Sequence, residues 1–203
     1  NSLSAHILEQ SSIGYSFDIF NVINKEDESS KWYALEIDLF EKYQSDTVYE
    51  VTHGFVEFDE RFFLLSQKWL NDSEIKKLTM TPDTDENDRI AWYESLKHRE
   101  DYYIKGILAD DVPIGAVGIK HINRVSGTGE YWGYIGEKSY IGKGIGKEMM
   151  AAMYATAYAL GLNRLTLKVA DFNIRACRLY EKQGFVETAR EDHVIVMEKI
   201  LNV

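Results

Sequence analysis

Three glycines within five residues, Gly142-Lys143-Gly144-Ile145-Gly146, join a strand-like run ending near Ile135 to a helical run that begins at Ile145. Without side chains at the glycines, backbone N–H groups can converge on one point. Because the turn opens a helix, those N–H groups are unpaired and carry the positive end of the helix dipole, which suits a phosphate or pyrophosphate. Two well-known phosphate loops fail on spacing. A Walker A loop needs a glycine five residues before its Gly-Lys pair and Ser or Thr after it, but Gly146-Lys147 has Ile141 before it and Glu148 after it. A dinucleotide fingerprint needs a third glycine where Lys147 stands, and it follows a parallel unit, whereas the strands here read as hairpins. On this feature alone, an ordinary strand-to-helix turn is the competing reading.

The 203 residues suffice for one domain, or for one domain with an extension. A net charge of −10 argues against nucleic-acid and anionic-membrane partners, both of which need a basic footprint. Cys177 is the only cysteine, so neither an intrachain disulfide nor a cysteine-rich zinc site can form, and no metal is expected. No apolar run approaches the roughly 20 residues of a membrane span. The first residues, Asn1 to Ser4, lack the basic and apolar regions of a signal peptide. A cytoplasmic location is the resulting expectation.

The chain changes character near residue 48. Residues 1–48 form an extension of unassigned role, either an appendage or a dimerisation element, and residues 49–203 form the main domain. There, Val51 to Phe58 reads as a strand and Arg61 to Leu70 as a helix, with Asn71-Asp72-Ser73 ending it and capping a short helix from Glu74. A further helix runs from about Asn87 to His98. Tyr102 to Leu108, Ile114 to Ile122 and Glu130 to Ile135 read as antiparallel strands separated by turn signals. A helix over Ile145 to Leu160 has Ile145, Met149, Ala152, Met153 and Leu160 on one face, with Thr156 among them. Leu165 to Val169 is a strand, Ile174 to Gln183 a helix stopped by Gly184, and Phe185 to Glu187 and Val194 to Met197 close the sheet. The fold class is α/β, with a mixed, mostly antiparallel central sheet flanked by helices.

Two stretches together go further. The run from Glu130 through Gly142, Gly144 and Gly146 to Lys147 resembles the cofactor motif of the GNAT superfamily of N-acetyltransferases. Asn173, Ala176 and the segment Tyr180-Glu181-Lys182-Gln183-Gly184-Phe185 resemble the second motif of that superfamily. The resemblance covers about residues 49 to 203. It looks nearest to the branch acting on sugar-nucleotide amines and ribosomal-protein N-termini, where Trp69-Leu70-Asn71-Asp72 and Ile114-Gly115-Ala116-Val117-Gly118 also have counterparts. One departure is Ile141, where the family usually has Arg or Gln, and this implies weaker cofactor affinity.

The resemblance implies an acyl-CoA-dependent enzyme that moves an acetyl group from acetyl-CoA to a primary amine, directly in a ternary complex. The amine is expected to be a small molecule, with an amino-sugar nucleotide favoured. The alternatives are a polyamine, a protein N-terminus, or a non-catalytic acyl-CoA-binding module; a homodimer is compatible with all of these. Gly142, Lys143, Gly144, Ile145, Gly146 and Lys147 would hold the pyrophosphate. The backbone at Tyr134, Ile135 and Gly136 would pair with the pantetheine arm, and Asn173 would either bond that arm or cap the helix that follows. Tyr180 is the expected general acid, since an unperturbed phenol with pKa near about 10 stays protonated at neutral pH. Glu130 is the expected general base, with Glu137 or ordered water as the other options. The segment from Trp69 through Trp92 would select the substrate. Asp83, Asp85, Glu86 and Asp88 could draw in a cationic amine, and Trp92, Tyr131, Trp132 and Tyr134 could stack on a sugar or base. Alternation puts Glu130, Trp132 and Tyr134 on one strand face and Tyr131 on the other.

Overall fold

The computed structural model describes residues 53–201. Residues 55–201 belong to one compact unit. The extension assigned to residues 1–48, its boundary at 48 and 49, and the start of the first expected strand lie outside the described residues.

The described residues build a seven-stranded sheet in the order β1-β2-β3-β4-β5-β7-β6. Its strands are β1 (His53–Glu57), β2 (Tyr102–Ala109), β3 (Val112–Asn123), β4 (Thr128–Ile135), β5 (Arg164–Ala170), β6 (Val186–Glu191) and β7 (Val194–Ile200). The helices are α1 (Glu60–Asn71), α2 (Ser73–Thr79), α3 (Glu86–Ser95), α4 (Ile145–Ala159) and α5 (Ile174–Lys182). β2–β3, β3–β4, β5–β7 and β6–β7 are antiparallel, whereas β4–β5 is parallel. The expected mixed, mostly antiparallel sheet is what forms.

Local chemistry sets the joints. The Asp59 carboxylate accepts from the N–H groups of Arg61 and Phe62 and starts α1. Asp72 ends α1 by donating its N–H to the Trp69 carbonyl, and its side chain then caps α2. Asp85 caps α3. The β2–β3 hairpin turns on Asp110 and Asp111, both with positive φ (47° and 64°), the backbone that a two-residue hairpin needs to follow the strand twist.

Alternation along the strands divides the core between two faces. On one, Phe58, Phe62, Phe63, Trp69, Ile75, Ala116 and Tyr134 form a buried cluster against α1. On the other, α4 packs over β3 and β4 through Ile145, Met149, Met150, Met153 and Ala157. This corrects the expected stripe, because Met150 and Ala157 are buried whereas Ala152 and Leu160 are only half-buried. Leu160 is the C-cap residue, and with Gly161 in the left-handed region the Leu162 N–H turns back to the Ala157 carbonyl at 2.8 Å. No helix among the described residues is long and apolar enough to cross a membrane.

Candidate active site

The site begins where the sheet comes apart. β4 and β5 pair only at Thr128–Arg164, Gly129–Leu165 and Glu130–Thr166, although β4 continues to Ile135 and β5 to Ala170. Each strand keeps its outer neighbour along that length, β4 with β3 and β5 with β7. A split therefore opens between Tyr131–Ile135 and Leu167–Ala170, edged by main-chain groups without a strand partner.

Which groups face the split follows from alternation. The Gly136 N–H donates to the Ile114 carbonyl at 2.7 Å, on the β3 side. On the other side, the Gly127 carbonyl accepts from the N–H groups of Asn163 and Arg164, and the Gly129 carbonyl accepts from the Thr166 hydroxyl. Tyr131, Gly133 and Ile135 thus turn their backbone groups into the split, and Trp132 and Tyr134 turn theirs to β3. Of the expected trio Tyr134, Ile135 and Gly136, only Ile135 presents its backbone to the split, and Gly133 joins it. Gly136 has a packing reason to be glycine: a Cβ there would lie 2.1 Å from the Trp69 ring.

Beyond the end of β4 lies the glycine turn. Gly142 and Gly144 have φ of +90° and +92°, and Gly144 occupies the N-cap of α4 without any side-chain cap. The Lys143 N–H goes to the Tyr140 carbonyl and the Lys147 N–H to the Gly144 carbonyl. Among the described residues, the N–H groups of Gly144, Ile145 and Gly146 find no partner. A Cβ at Gly144 would meet nothing within 4 Å. Open space before three unpaired donors at a helix start fits a pyrophosphate. The Ile145 side chain is fully buried, so its contribution is the N–H alone. Lys143 and Lys147 are exposed, with the Lys143 ammonium 4.4 Å from the Tyr140 ring centroid.

Beside this turn lies a basic face of α5 that was not among the expected site residues. A Cβ at Gly142 would lie 3.1 Å from Arg175 Nη1. Arg175, Arg178, Leu179 and Lys182 line an open groove of about 390 Å³. The signal was available in the three- and four-residue spacing of these three cations, which places them on one side of a helix. Arg175 puts a guanidinium beside the turn that Ile141 leaves without one.

Tyr180 rises from α5 toward β4. Its ring meets Tyr131 edge-on at 5.9 Å and Phe185 at 6.1 Å. The hydroxyl makes no hydrogen bond among the described residues, and burial pushes the phenol pKa up to about 12. Asn173 is the N-cap of the same helix, its Oδ1 accepting from the Ala176 N–H at 3.3 Å.

The two carboxylates are both engaged. Glu130 pairs with Lys120 at 3.0 Å and with His121 Nδ1 at 3.3 Å. Glu137, the other carboxylate considered as a base, accepts from the buried Trp69 indole N–H at 2.8 Å. This ties α1 to the end of β4 across 68 positions of sequence. Two of the four acids have structural partners: Asp83 pairs with Lys76, and Asp85 caps α3 by accepting from the Asp88 N–H. The expected aromatics divide by face. Trp92, Tyr102, Trp132, Tyr134 and Trp69 run as a chain of ring contacts at 5.9–6.3 Å, while Tyr131 lies opposite with Tyr180.

Comparison with known proteins bears on this geometry. Residues 67–185, well over half of the chain, match the family model of the Acetyltransferase (GNAT) family. The chain belongs to the GNAT acetyltransferase family. An uncharacterized N-acetyltransferase, YycN of Bacillus subtilis (strain 168), is 43% identical over 49 residues, 24% of this chain and 31% of that protein. The chain thus spans about a third of the length of the curated relative it matches. Among solved structures, the spermidine N-acetyltransferase from Vibrio cholerae in complex with CoA and spermine superposes with a TM-score of 0.65 at 20% identity, covering 75% of this chain and 96% of that one. N-acetyltransferase PseH from Campylobacter jejuni superposes at 0.56 and 17%, covering 75% and 99%. These likenesses establish the GNAT fold. The family matched is one of acetyltransferases.

Proposed function

We propose that this chain moves an acetyl group from acetyl-CoA to the primary amine of a small molecule, directly within a ternary complex, and that the acceptor is an amino-sugar nucleotide. One observation carries the reading: the β4–β5 split leads to an uncapped glycine turn, with a protonated phenol against the same strand.

When bound, acetyl-CoA supplies the thioester carbonyl that the amine attacks. The N–H groups of Gly144, Ile145 and Gly146 would hold the pyrophosphate, supported by Arg175 and by the charges of Lys143 and Lys147. The free main-chain edge at Gly133 and Ile135 would take the pantetheine arm as an added strand, with an N–H directed at the carbonyl where negative charge develops. Asn173 would turn its amide toward the same arm while its Oδ1 caps α5. Tyr180 would hand its proton to the departing sulfur. Glu130 would draw the amine proton through water, with Lys120 and His121 fixing its orientation.

Cys177 supports direct transfer. Its Sγ lies 3.7 Å from the Ala170 carbonyl, only 8% of the residue is exposed, and burial pushes its thiol pKa up. Such a thiol is a poor nucleophile. Cys177→Ala should therefore keep kcat within about twofold in a thiol-release assay, because a buried, protonated thiol takes no part in the chemistry. Loss of turnover in a folded variant would instead point to a covalent acyl-enzyme on this thiol.

The deciding experiment measures free thiol released from acetyl-CoA across a panel of amino-sugar nucleotides, polyamines and peptide N-termini. Acetylation of a polyamine but of no amino-sugar nucleotide would reverse the choice of acceptor. Acetyl-CoA binding without turnover on any amine would make the chain a non-catalytic acyl-CoA-binding module.

A further inference from the structure

Two buried side-chain polar atoms lack a hydrogen-bond partner among the described residues, Arg89 Nε and Trp132 Nε1. Both are donors, and both belong to residues flanking Tyr134. The Trp132 ring stacks on Tyr134 at 6.3 Å. The Arg89 guanidinium acts on the Tyr134 phenol through its charge, and its Nη2 donates to Ser66 Oγ at 3.2 Å. Ser66 is itself 2% exposed and donates to the Phe63 carbonyl.

Arg89 is a half-buried cation without a carboxylate among the described residues, on a surface rich in acids. Asp85, Glu86 and Asp88 are all within four positions of it, yet none pairs with it, and Asp83 pairs with Lys76 instead. Desolvation holds the guanidinium below its ordinary pKa. A partly desolvated charge left unpaired is costly, and an arriving anion would relieve that cost. Its position suits such a role, because Tyr134 is the immediate neighbour of Ile135, whose backbone faces the split.

We propose that Arg89 anchors an anionic group of the acceptor, so that the amine this chain acetylates also carries a phosphate or a carboxylate. The proposal rests on the amine-acetylating reading above and deepens it. A polycation meets an uncompensated like charge at the same place, which disfavours a polyamine acceptor.

Calorimetry on the CoA-loaded protein with uridine diphosphate, N-acetylalanine and spermidine tests this. At least one of the two anions should bind. Arg89→Met should weaken that binding by roughly tenfold to a hundredfold, the usual worth of a charge-assisted hydrogen-bonded contact, with acetyl-CoA affinity unchanged. Arg89→Lys should recover only part of it, since an ammonium cannot form the planar fork. If Arg89→Met fails to fold, Arg89→Lys carries the comparison with a loss of several-fold. A response to uridine diphosphate identifies a phosphate, and one to N-acetylalanine a carboxylate. The proposal is overturned if neither anion binds, if spermidine binds more tightly than both, or if binding is the same in folded variants and wild type. Failure of the acetyl-transfer reading would show separately, as acetyl-CoA binding with no thiol released from any amine.

Discussion

Replacing Tyr180 by Phe should lower the rate of acetyl transfer by roughly a hundredfold to a thousandfold, the range expected when a positioned general acid is removed. Acetyl-CoA affinity and thermal stability should scarcely move. The reason is specific to this side chain. Its ring is held by Tyr131 and Phe185, contacts that Phe preserves, whereas its hydroxyl bonds to nothing among the described residues. The substitution therefore removes a proton donor and little else. With burial pushing the phenol to about 12, the acid stays protonated throughout the neutral and mildly alkaline range. Any fall in kcat between about pH 7 and 10 belongs to another group, because ionisation of Tyr180 would appear only near the upper end of the accessible range. Steady-state kinetics with a parallel calorimetric titration of acetyl-CoA checks this, and full activity in the Phe variant would remove Tyr180 from the mechanism.

The second large effect is expected at the turn, and the fold supplies its own control. Gly144 and Gly161 share a left-handed backbone, with φ of +92° and +73°, and a Cβ at either would meet nothing within 4 Å. Alanine at either site should cost about 1–2 kcal/mol, the penalty of that conformation for a residue with a side chain. Only at Gly144 does the new methyl stand before the unpaired N–H groups of Ile145 and Gly146. Gly144→Ala should thus weaken acetyl-CoA binding by about tenfold or more, since the cradle depends on close backbone approach. Gly161→Ala should bind as wild type despite a similar drop in melting temperature. Equal affinities for the two variants would mean that the turn is an ordinary connection.

Much of this architecture was legible because its signals are local. Asp72 marks a helix start by side-chain chemistry that acts over two or three residues. The glycine turn and the Asn173-to-Phe185 stretch are likewise contiguous, so their order along the chain pointed to both fold and family. Contacts between distant segments were not legible. Nothing in the spacing announces that Trp69 bonds Glu137, that Arg175 reaches Gly142, or that Arg89 rests on Ser66. The role of β4 was readable, but not which of its residues face the split, because that depends on pairing phase with β3. β6 extends beyond the expected Glu187 to Glu191, since an edge strand exposed along its whole length carries no apolar alternation to mark its end.

The parting of β4 from β5 also has a mechanical meaning. Three residue pairs join β1–β4 to β5–β7, so the sheet is two leaves bound along a short spine. A ligand arm lying between the leaves as an extra strand would complete the ladder and fasten them together. The cosubstrate would then act as a removable structural member, stiffening the two halves before an amine arrives and letting them breathe once the product departs.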